Sequence, residues 1–170
     1  TYDMRRDATR TAPASEFAQA VLNGTDFPCE IVDCHAHMDP VMHHYMPGGS
    51  DAEAIVGSMD RTGVSVSCFS HHLAVTGDLA EGNRRAIEAA ERFPGRYLVY
   101  LGYNPNYPVE YLIDMLDEYV SSRFVIGLKY HTSTHQASPD DDRYRPGYEY
   151  AKDHNLAVLS HICGVSEVRA

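Results

Sequence analysis

The sequence predicts a parallel α/β fold. Five short β-rich runs recur along the chain, helical stretches separate them, and the runs are apolar almost throughout instead of alternating. A strand buried on both faces reads as such a continuous run, and strands linked by helices run parallel. The runs are EIVDCHAHM (30–38), VSVSCFSHH (64–72), YLVYLGYN (97–104), FVIGLKYH (124–131) and LAVLSHIC (156–163).

The connecting stretches follow in order. Over 51–61, Ala54, Ile55 and Met59 fall at helical spacing, with Ser50 placed to cap the N-terminus. Over 78–93, Leu79, Ala86, Ile87 and Ala90 share one face, and Pro94-Gly95 ends the helix. Over 109–120, Leu112, Ile113, Leu116 and Val120 share a face entered through Pro108. The stretch 141–154 is wetter, and Pro146 must sit in its first turn because the ring blocks an interior helix bond. Residues 1–28 form an N-terminal extension outside this pattern, with a short helix at 16–22 closed by Asn23-Gly24. Residues 29–170 carry the repeating βα unit.

Composition narrows the function classes. With 44% hydrophobic and 22% charged residues the chain has the balance of a folded globular protein. Twenty-four acidic residues against 14 basic give a net charge of −10, which repels a phosphate backbone and argues against nucleic-acid binding. No apolar run approaches a membrane span. The first residues are basic with no apolar core behind them, unlike a secretory signal. Cys29, Cys34, Cys68 and Cys163 make no CxxC pair and are expected to be reduced, in a cytoplasmic protein.

The chemistry gathers at the C-terminal ends of the strands, where the loops of a parallel fold open. The first run ends Asp33-Cys34-His35-Ala36-His37. Side chains alternate along a strand, so His35 and His37 point the same way and can chelate one divalent ion. His161 ends the last run, and in a closed or curved sheet it faces the same mouth. Catalytic zinc sites use such imidazoles and leave a position for water. His43-His44 and His71-His72 are adjacent pairs whose side chains diverge, so neither is expected to hold the metal. Lys129 and His131 share the inward face of the fourth run. His131 is assigned to substrate contact or electrophilic assistance, against an ordinary strand-end histidine. Asp33 is expected to be a buried carboxylate steadying the first strand or a ligand imidazole. Among the tyrosines only Tyr103 is placed to line a pocket.

Three stretches, IVDCHAHMDP, VIGLKYH and RPGYEYAKDHNLAVLSH, together resemble the amidohydrolase superfamily, and within it the amidohydrolase-2 group of metal-dependent hydrolases and decarboxylases. The resemblance spans residues 31–161 and implies a (β/α)₈ TIM barrel, of which this chain offers the first five βα units. It also implies one or two divalent metals and activation of a bound water. The sixth-strand histidine and eighth-strand aspartate of the family have no position here, so the chain is expected to continue beyond residue 170. A five-stranded sheet by itself exposes edges and is expected to associate, giving a homo-oligomer.

The expected function is hydrolysis of an amide, lactone or ester of a small, carboxylate-bearing substrate, with His35, His37 and His161 on the metal. Zinc suits these ligands, as do manganese, iron and nickel. Rivals are decarboxylation by the same ligand set, a degenerate metal-binding barrel, and a nuclease similar to TatD. The last is disfavoured by the charge and by lysine and histidine where that group carries a glutamate. Lys129 has three readings: a metal-bridging carbamate as in binuclear members of the superfamily, a cation for a substrate carboxylate, or an ion pair with Asp33. We expect the second, with a single metal.

Overall fold

The computed structural model describes residues 15–40, 46 and 48–162. Residues 1–14 of the extension, His43, His44, Cys163 and the stretch 164–170 lie outside the described residues. The extension contributes α1 (Glu16–Asn23), capped by the Ser15 hydroxyl and closed at Gly24 in the left-handed region. Phe17 stacks on Phe27 at 4.9 Å, and Phe27 lies so close to Gly63 that any Cβ there would meet it at 2.9 Å.

Five strands alternate with helices. They are β1 (Ile31–Met38), β2 (Val64–His71), β3 (Tyr97–Gly102), β4 (Val125–His131) and β5 (Ala157–His161). All pair in parallel, in the order β1-β2-β3-β4-β5. Sequential order means that every crossover turns the same way and leaves its helix on the same side, which winds the sheet toward a barrel instead of an open two-sided sheet. The sheet is a curled half-barrel. Its curl is visible in one contact: Lys129 on β4 reaches His35 on β1, a strand that is not its neighbour.

The linking helices are α2 (Ala52–Thr62), α4 (Leu79–Arg92), α5 (Val109–Tyr119) and α7 (Arg145–Asp153). The N-cap of α2 is Asp51, whose carboxylate accepts from Ala54 N–H at 2.9 Å. The expected cap, Ser50, is instead buried, its carbonyl accepting from Asp39 N–H. Pro146 does fall in the first turn of α7, behind a 3₁₀ turn over Asp142–Tyr144. The core lies between the sheet and these helices, with Leu79, Ala86, Ala90, Leu112, Leu116, Val99, Leu101 and Leu128 at most 2% exposed. Among the described residues no helix is long and apolar enough to cross a membrane, and Cys29, Cys34 and Cys68 are free thiols.

Two one-turn helices were not expected from the sequence. They are α3 (His72–Thr76) and α6 (Thr132–His135). Each starts directly after a strand-end histidine whose Nδ1 accepts from the new helix: His71 from Leu73 N–H and His131 from Thr134 N–H. Imidazole is an uncommon cap, so the signal is faint in sequence.

Asn83 ties the helical layer to the sheet. It is 1% exposed, on the apolar face of α4; its amide donates to the Gly102 carbonyl at 3.1 Å and accepts from Gly102 N–H at 2.7 Å. Asn83→Leu leaves both backbone groups unsatisfied, and the expected loss is about 2–5 kcal/mol from desolvated orphan groups. The urea midpoint measures it; an unchanged midpoint would show that water replaces the amide.

A second test of the fold uses pH. His135 is 3% exposed with Nδ1 2.7 Å from the Tyr144 hydroxyl. Burial, then His131 and Arg143, pushes its pKa down to about 4. The unfolded chain takes up a proton near the ordinary histidine value while the fold refuses it. The His135 contribution is therefore complete above that value and is lost as pH falls toward 4, an effect on the order of 1–3 kcal/mol. Urea midpoints of wild type and His135→Asn at pH 7 and 5 check this. The wild type should lose more stability over that step, and parallel losses would refute the assignment.

Candidate functional site

The site is built on the ends of β1, β2, β4 and β5. Along β1, Asp33 pairs with Ser67 and Ala36 with Phe69, so β1 carries an extra residue in this interval. Such a bulge bends a strand and re-aims its side chains. The His35 and His37 rings still come together, at 5.2 Å and edge to face. His37, half-buried, pairs in register with Ser70, and its Nδ1 lies 3.1 Å from the buried Ser70 hydroxyl. With the ring proton on Nδ1 donating to that hydroxyl, Nε2 keeps the lone pair a metal needs. Burial, the neighbouring His72 and the Lys129 charge bring the His37 pKa down to about 3, so it is neutral at physiological pH. His35 is more exposed, and partial desolvation with Lys129 and His161 nearby lowers its pKa as well. Neutral imidazole is the ligand form.

Lys129 is 1% exposed. Burial brings its pKa down to about 8, and Nζ lies 2.9 Å from His35 Nε2. The ion pair with Asp33 that the sequence left open is not formed. Asp33 is exposed instead of buried, and its carboxylate accepts from His35 N–H at 3.0 Å. It steadies the first strand from the solvent side.

His131 and His161 are direct partners across β4 and β5, with rings stacked at 4.3 Å and 7° apart. His131 Nδ1 accepts from Thr134 N–H, a group that only donates. In the neutral ring the proton is therefore on Nε2, and His131 presents a donor. Its pKa falls to about 4 through burial, His161 and Lys129. The His161 carbonyl accepts from the Thr132 hydroxyl at 2.6 Å, which fixes the end of β5.

These residues form two groups at one mouth: His35, His37 and Lys129 on one side, His131 and His161 on the other. Among the described residues, no three His, Cys, Asp or Glu side chains form a group able to hold a metal ion. His35 and His37 offer two adjacent neutral imidazoles, the donor type a divalent metal takes, and the Lys129 ammonium sits on the His35 lone pair.

Sequence reasoning set His72 aside, and the structure brings it in. Strand β2 ends at His71 and α3 begins at His72, so the two rings do diverge. His71 turns away and donates from Nε2 to the Asp39 carboxylate at 3.0 Å. His72 donates from Nδ1 to the Asp39 carbonyl at 2.7 Å and stacks on His37 at 4.6 Å. Asp39 thus binds the end of β1 to the end of β2. A strand ending between the two histidines was the signal, and sequence alone does not locate that end. Tyr103 is corrected in the other direction. It is fully buried against Tyr130 and Tyr144. A cavity of about 450 Å³ opens beside His35, His37 and His72, with Ser67, Ile55 and Met59 in its wall. That volume suits a small molecule.

A family model described as Amidohydrolase matches residues 32–166. Among solved structures, 4-oxalomesaconate hydratase from Rhodopseudomonas palustris is similar at 16% identity with a TM-score of 0.57, over 78% of this chain and 52% of that one. The 5-carboxyvanillate decarboxylase from Novosphingobium aromaticivorans, complexed with manganese and 4-hydroxy-3-methoxy-5-nitrobenzoic acid, is similar at 12% identity and a TM-score of 0.62, over 79% and 50%. A probable 2-pyrone-4,6-dicarboxylic acid hydrolase from Acinetobacter baumannii, with citric acid bound, is similar at 12% identity and 0.52, over 78% and 49%. The chain spans about half the length of these structures, and the likeness is one of fold. No curated protein matches the sequence. The bulged His-x-His strand, the sequential parallel sheet and a family match over most of the chain agree: the chain belongs to the amidohydrolase family.

Proposed function

We propose that this chain supplies the metal-holding half of a barrel enzyme acting on a small carboxylate-bearing molecule, by hydrolysis of an amide, lactone or ester. The observation that supports it most is the pair of neutral imidazoles, His35 and His37, beside a buried ammonium. His35, His37 and His161 would hold the metal. A divalent metal there supplies Lewis-acid polarisation and a water that ionises near neutral pH. Lys129 offers a positive charge and His131 an Nε2–H donor on the opposite side, and together they suit a substrate carboxylate or a carbonyl gaining negative charge. Ser70 fixes His37 and Thr134 fixes His131, so both rings are pre-oriented.

Decarboxylation is a second reading, favoured by one observation: the similar decarboxylase holds manganese and an aromatic acid. The experiment is a panel of esters, lactones and carboxylic acids with zinc or manganese added. Acid release identifies hydrolysis and carbon dioxide release identifies decarboxylation. Bound metal with no turnover of any member would favour a non-catalytic barrel. The reading also carries a cytoplasmic location and a homo-oligomer; sedimentation of the purified protein checks the second.

A further inference from the structure

We propose that Lys129 is a placeholder on the metal site: it holds the imidazole lone pair of His35 that a metal must take, so loading the site requires its displacement. The inference rests on the reading of His35 as a ligand. A neutral imidazole has a single in-plane lone pair. Nζ lies 2.9 Å from Nε2, and an ammonium has donors only, so Nε2 accepts and Nδ1 carries the ring proton. The pair is not an accident of neighbouring strands. Lys129 on β4 crosses the interior to reach β1, and it is 1% exposed.

Among the described residues no carboxylate stands within ion-pair distance of Nζ; Asp33, the partner the sequence left open, accepts from His35 N–H instead. The imidazole is thus the partner that makes burial of this ammonium tolerable. A metal–imidazole bond is about 2.0–2.1 Å long, so it cannot form while Nζ occupies the same lone pair. Ammonium and metal also repel, with little water between them to screen the repulsion. The lysine therefore sets a threshold for metal affinity, and a cation must outcompete it to enter.

The test is zinc and manganese affinity, by competition with a chromophoric chelator, for wild type, Lys129→Met and Lys129→Gln. A hydrogen bond to a charged group is worth about ten- to a hundredfold in binding. Lys129→Met should bind metal tighter by about that factor. Lys129→Gln, which drops the charge and keeps a polar end, should gain less in the same direction and stands in if the methionine variant does not fold. Nitrogen-15 histidine spectra of chelator-treated protein give an independent readout: the acceptor signature at one Nε2 should change in both variants. Equal or weaker metal binding in the variants, with wild type still binding, overturns the placeholder and leaves the metal reading standing. No binding in any of the three overturns the metal reading itself, and the placeholder with it.

Discussion

Replacing His35 and His37 together with alanine is expected to abolish stoichiometric metal binding, lowering affinity by more than about 100-fold. Loss of groups that merely orient a ligand already costs about 10- to 100-fold, and here two ligands go. The fold should survive. His35 is exposed and His37 half-buried, and neither belongs to the apolar core. Elemental analysis of purified variant and wild type, alongside thermal melts, measures both sides. Unchanged metal content in the double variant would remove these residues from the metal site. A parallel His161→Ala variant asks whether the other side of the mouth contributes: content should fall, because its ring lies near enough to His35 to lower that residue's pKa.

Lys129→Met is expected to keep metal content and lose turnover of carboxylate substrates by about 100- to 1000-fold, the range found when a preorganised electrostatic contact to developing charge is removed. Wild type should hold a single metal per chain, whatever the bicarbonate concentration. Two metals per chain in wild type, with the second lost in Lys129→Met, would establish the carbamate and sink the cation reading. The tighter metal binding expected of the same variant is a separate measurement, and it does not depend on turnover.

Much of the fold was legible because burial writes itself into one-dimensional pattern. Each of the five apolar runs became a strand, and each periodic stretch became a helix with its apolar face inward. The errors fall where patterning is weak. Ser50 and Asp51 are both good caps, and only the backbone path chose between them. Asn83 occupies an apolar face position, and a polar residue there was itself the signal of a specific tie to the sheet.

The site divides in the same way. Residue order alone places His35 and His37 in one short segment and histidines at the ends of the fourth and fifth strands, because strand alternation is local chemistry. Side-chain contacts across the barrel are not local. That Lys129 ends on His35, that His72 stacks on His37, and that Asp33 faces solvent all depend on how far the sheet curls and where β2 stops. Tautomers depend on it too: a backbone N–H at Nδ1 makes His131 a donor, and a backbone carbonyl at Nδ1 gives His72 the opposite polarity. Residue type and spacing specify which groups are available for chemistry; the curl of the sheet, a sum of small twists over five strands, decides which atoms meet.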